Sequence, residues 1–404
     1  LTQRLVATRH SLPPVRLFIG MVTSDTLSPD CADCFELTGL NGAGSNRRLT
    51  AAGVLEVIPV HVSSIARLIE AGTLPVDVAL IRVRPSPVPG HFTVGVVADY
   101  TQALVKKARC VVAELDERMP ATAHDALVAA RDIDVWVEAD VDQILLHDTE
   151  PSTEEREVAR HVASAIPDRA TVQFGIGGLS VAVAQALKNH RDLGVHSGVV
   201  SDALVDLIEK GVVTNAYKGF DEGVSVTGCL FGSDRLNAHA NGNPTIALRA
   251  ATHTHNAEIM ARLHRLHSVN SAIEVDLTGQ VNAEQAGNRY LGAVGGQIDF
   301  VRGAQFSPGG RSIIALPSTT PDGRTSRIVA SLAGRPVTTA RSEVDLVVTE
   351  YGVADLRGCS FARRMEQLAA IAHPAFRDAL LREARDGTRQ RPAFQPVVSE
   401  VRHA

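Results

Sequence analysis

The residues best suited to chemistry gather in three segments. The first, Gln173-Phe174-Gly175-Ile176-Gly177-Gly178-Leu179-Ser180, is an apolar run entering glycines and then a helical pattern. Glycines at such a junction let backbone N–H groups and a helix N-terminus approach an anion or a developing oxyanion. The segment lacks the Gly-Lys-Ser/Thr of a P-loop and the spacing of a dinucleotide fingerprint; a tight turn without a ligand reads equally well. In the second segment, Asn270 to Asn282, Ile273, Val275 and Leu277 alternate with Glu274 and Asp276, and Gly295-Gly296-Gln297 follows. Alternation puts both carboxylates on one strand face, which suits acid/base work or is simply a solvated face. In the third, Asp345 to Gly358, Glu350 stands where a buried strand ends. From that position α/β folds present functional side chains, and a carboxylate capping a turn has the same signature.

The elements that must position these segments are short β-branched runs alternating with helical patterns: Leu17–Val22, Val54–Val60, Val76–Val83, Cys110–Leu115, Ile133–Val137 and Thr171–Phe174. Such runs are what buried parallel strands look like, so the fold class is α/β. The pattern repeats after a polar stretch, with a helix at Leu179–Asn189, a strand at Leu193–His196 and a helix at Ala203–Gly211. Ser152 or Thr153 can cap a helix running through Glu157, which places a domain boundary there: 1–152 and 153–404. Ligands are expected in the crevice at the carboxyl ends of strands and between the domains.

At 404 residues, 45% hydrophobic and 21% charged, the chain is an ordinary globular protein and not a disordered or collagenous one. Forty Lys+Arg against 45 Asp+Glu give a net charge of -5, so neither nucleic acid nor an anionic membrane is an expected partner. The apolar runs fall short of the roughly 20 residues a membrane-spanning helix needs, and a cytoplasmic location is expected. Five cysteines fit reduced thiols. Cys31-x-x-Cys34 lacks a second ligand pair for structural zinc, so no metal is expected.

Taken together, the three segments resemble the class I coenzyme A transferases, in the branch that holds 4-hydroxybutyrate CoA-transferases and acetyl-CoA hydrolases. The resemblance extends to Val94-Gly95-Val96-Val97-Ala98-Asp99-Tyr100-Thr101 and Ala372-His373-Pro374-Ala375-Phe376-Arg377. It implies two similar open, mainly parallel-sheet α/β domains with the active site between them. It also implies an acyl-CoA or acyl thioester as substrate, coenzyme A as substrate moiety with no tightly bound cofactor, and a homo-oligomer. Gly175, Ile176, Gly177, Gly178 and Leu179 would line the CoA or acyl site, with Ile273 and Gly296 also at CoA. Gln173 and Gly175 would be oxyanion-side groups, and Glu350 an active-site carboxylate.

The resemblance breaks at one decisive place. Where the family pattern reads like Gly-Ile-His-Thr-Glu-Met-Ile-Ser-Asp, with the glutamate forming a covalent thioester, this chain reads Gly194-Val195-His196-Ser197-Gly198-Val199-Val200-Ser201-Asp202. Glycine at the nucleophile position cannot form that intermediate. A basic residue expected before Gly309-Gly310 is Pro308, an expected Asn is Asp116, and Leu1 lies some way into the family's first domain. His196 and Ser197 point to opposite strand faces and are not expected to pair, whereas His255 is a candidate polar group facing substrate. The function expected is acyl-CoA processing without a glutamyl nucleophile, by hydrolysis or acyl transfer to a non-CoA acceptor, with Glu350 as base and acceptor entering the space left at Gly198. The alternatives are a non-catalytic or partner-dependent CoA-ester-binding homologue and a carboxylate CoA-transferase using a non-standard route.

Overall fold

The computed structural model describes residues 1–20, 22–122 and 127–389. Met21, inside the first expected strand, and 390–404, inside the expected second domain, lie outside the described residues. Strands β1 (Val15–Ile19), β2 (Phe35–Gly39) and β3 (Leu55–Val57) form a small parallel sheet in sequence order. A mixed sheet follows, made of β4 (Val78–Pro85), β5 (His91–Thr93), β6 (Cys110–Leu115), β7 (Val128–Ala129) and β8 (Val135–Glu138), in the order β7-β5-β4-β6-β8. Its β4, β6 and β8 are parallel and its β5 and β7 antiparallel.

The later part of the chain is organised on an eight-stranded sheet. Its strands are β9 (Thr171–Gln173), β10 (Gly194–Val200), β11 (Ser225–Leu230), β12 (Ile246–Leu248), β13 (Leu266–Ser271), β18 (Arg311–Ala315), β20 (Leu346–Thr349) and β21 (Gly352–Asp355), ordered β12-β11-β10-β9-β13-β18-β20-β21. Beside it β14 (Glu274–Asp276), β15 (Val281–Asn282) and β19 (Ile328–Val329) form a three-stranded sheet, and β16 (Gln285–Ala286) with β17 (Arg289–Tyr290) a hairpin. Only β21 runs antiparallel in the large sheet. Strands β9, β11 and β20 are buried along their whole length, as expected of strands covered on both faces. The fold is therefore α/β with mainly parallel sheets. Strand β10 runs to Val200, four residues beyond the expected His196, and so carries Gly198 inside the sheet.

The helix Thr153–Ala165 turns Val158, Ala159, Val162 and Ala163 inward, an apolar stripe at helical spacing. Its start is a reciprocal capping box: Ser152 Oγ accepts from Glu155 N at 3.2 Å, and Glu155 Oε2 accepts from Ser152 N at 2.9 Å. One apolar cluster joins Val83, Val94, Ala98 and Val111 to Val158, Val172, Val195 and Leu230, so early and late parts of the chain share a core. Among the described residues no helix is long and apolar enough to cross a membrane. Ser152→Ala removes one cap acceptor and is expected to lower the unfolding free energy by about 1 kcal/mol, measured by denaturant titration.

Candidate active site

Gly198 is not beside empty space. A Cβ there would lie 3.0 Å from both Cε1 and Nε2 of His255 and 3.4 Å from Cε2 of Phe300, so the imidazole fills the position a side chain would need. A Cβ on Gly296 would run into His255 Nε2, and the Phe300 ring meets the imidazole edge-on with centroids 4.8 Å apart. His255 follows the short helix Ala251–Thr254, whose Thr254 Oγ lies 2.9 Å from His255 Nδ1 and 3.4 Å from the Ala250 carbonyl. Nε2 has no hydrogen-bond partner among the described residues. Burial pushes the His255 pKa down to about 3, so the ring is neutral at working pH and can donate or accept according to its tautomer.

The neighbouring strand adds a second glycine. A Cβ on Gly228 of β11 would lie 2.7 Å from Asp99 Oδ1, 2.9 Å from the Gly198 carbonyl and 3.6 Å from Thr254 Oγ. Asp99 is brought here by residues 96–99, which are tied to the large sheet by Ala98 N to Gly228 O (2.9 Å) and Leu230 N to Val96 O (2.8 Å), and to the helix Ala251–Thr254 by Ala251 N to Asp99 O (2.7 Å). A second tie holds Gly296's surroundings: Val62 N donates to Gly295 O at 3.1 Å, and Ser63 donates through N and Oγ to the Asp299 carboxylate at 3.1 and 2.7 Å. Early-chain residues thus bond to the surroundings of Gly198 at two places, beside Gly228 and beside Gly296.

The expected site residues fall into three groups. Gly198, His255 and Gly296 meet directly. Gln173 ends β9, one strand from Gly198, and exchanges amide hydrogen bonds with Asn270 at 3.1 and 3.4 Å. It leads into Gly175, Ile176, Gly177, Gly178 and Leu179, where Gly177 has φ +93°, a conformation suited to glycine. A Cβ on Gly178 would come 2.6 Å from Glu155 Oε2, so a carboxylate already stands at the start of the helix Gly178–Ala186, where its charge complements the helix dipole. Ile273 is half-buried just past β13, its N–H donating to Asn282 O at 2.8 Å. Glu350 follows β20, and both its oxygens are held by the N–H and hydroxyl of Ser318. With β9, β13 and β18 between β10 and β20, the sheet separates Glu350 from the strand of Gly198 by roughly 19 Å.

The other polar candidates are committed elsewhere. Asp276 is buried, not solvated, and accepts four hydrogen bonds from Thr278 and Gln280. Glu274 pairs with Arg335 at 2.7 Å. Fully buried His196 and Ser197 bond separately, Nε2 to Thr254 O and Oγ to Phe174 O, both at 2.9 Å. Cys31 and Cys34 are free thiols. Cys34, His10 and Asp33 bring potential ligand atoms within 4.8 Å of one another at the surface, with Arg9 already bonded to both Asp33 oxygens.

Comparison with known proteins places this arrangement. The acetyl-CoA hydrolase/transferase N-terminal domain pattern matches residues 41–153, and the C-terminal domain pattern matches 232–384. The chain is 39% identical over 350 residues to the 4-hydroxybutyrate coenzyme A transferase of Clostridium kluyveri, covering 86% of this chain and 82% of that one. It belongs to the acetyl-CoA hydrolase/transferase family. Among solved structures it is similar to RipA from Yersinia pestis, with a TM-score of 0.90, 32% identity, and 96% and 91% of the two chains covered. It is also similar to a 4-hydroxybutyrate CoA-transferase from Porphyromonas gingivalis, with a TM-score of 0.79, 33% identity, and 96% and 90% covered.

Two positions read from the sequence as departures from this family's pattern have local partners here. Asp116 is buried and paired with Arg118 at 2.7 Å and Arg82 at 3.2 Å, so its charge is met within the chain. The Pro308 carbonyl accepts from Arg265 N at 2.9 Å. The sequence missed Asp99, Thr254 and Phe300 as site residues. The signals for Asp99 were a carboxylate directly after the apolar run Val94–Ala98 and its place in a segment that carries the family resemblance.

Because the imidazole fills the slot, Gly198→Glu alone is expected to destabilise the fold by about 1–3 kcal/mol through overpacking. Adding His255→Ala should recover most of that loss, as read from denaturant unfolding of the wild type and the single and double variants.

Proposed function

We propose that the protein processes an acyl-CoA or related acyl thioester without a glutamyl intermediate, passing the acyl group to water or to another non-CoA acceptor. The observation that carries this reading is the His255 imidazole seated against Gly198 and Gly296. In the reading, Gly198 stands at the family's nucleophile position and the imidazole takes the place of a nucleophilic side chain. The Thr254 hydroxyl has one proton, and its donation to His255 Nδ1 at 2.9 Å in preference to the Ala250 carbonyl at 3.4 Å makes the neutral imidazole the tautomer that presents Nε2–H as a donor. Aimed at the thioester carbonyl, it stabilises the oxyanion that forms when the acceptor attacks.

The glycine turn from Gly175 to Leu179, with Gln173, Ile273 and Gly296, lines the CoA ester. Glu155 beside Gly178 disfavours a phosphate at that helix start, so the turn is assigned the uncharged part of the ester. Glu350, held by Ser318 and separated by three strands from Gly198's strand, is assigned to the ester's binding cleft and not to the base at the reacting carbon.

The test is incubation with a panel of short acyl-CoAs, with and without acetate or succinate, following free CoA and exchanged acyl-CoA. CoA release without exchange supports the reading, and acyl exchange by the wild type overturns it. Silence in both channels points to a CoA-ester-binding homologue without catalysis of its own. His255→Ala is expected to reduce CoA release by about 100-fold or more, the usual cost of one oxyanion donor, with the loss in kcat and little change in KM.

A further inference from the structure

We propose that Asp99, contributed by the early part of the chain, is the catalytic base that accepts the proton of the attacking acceptor. This role rests on the thioester reading above. Its support is geometric. The carboxylate stands over the adjoining glycines of β10 and β11: a Cβ on Gly228 would be 2.7 Å from Asp99 Oδ1 and 2.9 Å from the Gly198 carbonyl. The Thr254 hydroxyl, 3.6 Å from the same point, bonds the His255 imidazole, so one residue separates the carboxylate from the group assigned to the carbonyl oxygen.

Three further features mark Asp99 as more than a structural carboxylate. Its backbone is held at φ +22°, a costly conformation for a non-glycine residue that persists only when surrounding contacts enforce it. Here the enforcing contacts are two hydrogen bonds linking residues 96 and 98 to the large sheet and one from Ala251 N of the following helix to the Asp99 carbonyl. Only one carboxylate oxygen is engaged: Cys229 Sγ donates to Oδ2 at 3.2 Å, while Oδ1 has no hydrogen-bond partner among the described residues and is not sealed from solvent. Burial pushes the Asp99 pKa up to about 6, against the pull of the Cys229 hydrogen bond, which brings it near the range where a base works best.

The groups facing it stay uncharged. Burial and the nearby Asp99 charge push the Cys229 thiol and the Tyr100 phenol upward, and His255 is neutral. In the step proposed, Asp99 Oδ1 takes the proton from the acceptor's O–H or N–H as that oxygen or nitrogen bonds to the thioester carbonyl carbon. Collapse of the tetrahedral intermediate breaks the C–S bond, and the departing thiolate recovers the proton from Asp99 to leave as the CoA thiol. Acyl thioester and acceptor thereby become acylated acceptor and thiol, with Asp99 restored.

The experiment is the pH profile of CoA release for wild type, Asp99→Asn, Cys229→Ala and Cys229→Ser, using the acyl-CoA that the wild type turns over fastest, with binding of that ester measured by calorimetry. Wild-type kcat/KM should rise with pH through about 6, since the base must be ionised to act. Asp99→Asn should lose that limb and about 100-fold or more in kcat while still binding the ester. Cys229→Ala removes the bond that favours the ionised carboxylate, so the limb should move to higher pH, and Cys229→Ser should return it toward the wild-type position; this arm stands even if Asp99→Asn does not fold. A folded Asp99→Asn that keeps the limb and a rate within about threefold of wild type, or a limb unmoved by Cys229→Ala, overturns the role of Asp99 while leaving the thioester reading intact. Wild-type protein that releases no CoA from any ester overturns the thioester reading and this role with it.

Discussion

The contact between the His255 ring and the glycines at 198 and 296 constrains everything around it. A ring can pack this closely against a strand only where the strand has no side chain at that point, and only if a second wall also leaves room. Gly198 supplies the first condition and Gly296 the second, and Phe300 closes the remaining side. Once the ring is seated, its Nδ1 meets Thr254 and its Nε2 has no hydrogen-bond partner among the described residues. Burial then keeps it neutral. The chemistry open to the site follows from that packing: an uncharged donor or acceptor between two glycines and an aromatic ring, and no carboxylate rising from the strand itself.

The early part of the chain is bonded to the elements around this contact at two places. Its residues 96–99 bond across to Gly228, Leu230 and Ala251, and its helix start at 61–63 bonds to Gly295 and Asp299. An apolar cluster that includes Val94, Ala98 and Leu230 lies beside the first of these ties, so residues 96–99 are held by core packing as well as by polar bonds. Positioning from rigid elements on opposite sides is what a thioester carbonyl needs, because small errors in donor placement cost large factors in rate. The glycine turn after β9 contributes a different surface. Its helix start already has the Glu155 carboxylate beside it, so it presents close backbone approach more than positive potential.

Much of the architecture was legible in the residue pattern. Cys110–Leu115 forms a strand with the expected ends, the strand at Thr171 begins where its apolar run begins, and the helix after Ser152 starts at the anticipated cap. These are local matters of periodicity, β-branching and capping. Strand β2 and the extension of β10 past His196 were not anticipated, since glycine and serine weaken a strand pattern and pairing with neighbouring strands supplies what the pattern lacks. Asp276 read as a member of a solvated face, yet it is buried and holds the following turn, which no alternation rule distinguishes. Asp116, read as a departure from the family's pattern, has two arginine partners, Arg82 on the adjoining strand and Arg118 two residues on.

By itself the sequence determined the α/β class, the family to which the chain belongs, and the presence of glycine where a nucleophile was expected. Each of those is written in the order and type of residues along short stretches. Only the tertiary structure decided what occupies the space beside that glycine. Asp99, the Thr254–His255 pair and Phe300 come from three separate places in the chain, and the expectation of a vacancy at Gly198 fails because the ring arrives from the end of a helix more than fifty residues away. Strand order likewise separated Glu350 from Gly198's strand. Side-chain types state which groups are available; the pairing of strands and the packing of helices upon them set the distances, and chemistry depends on the distances.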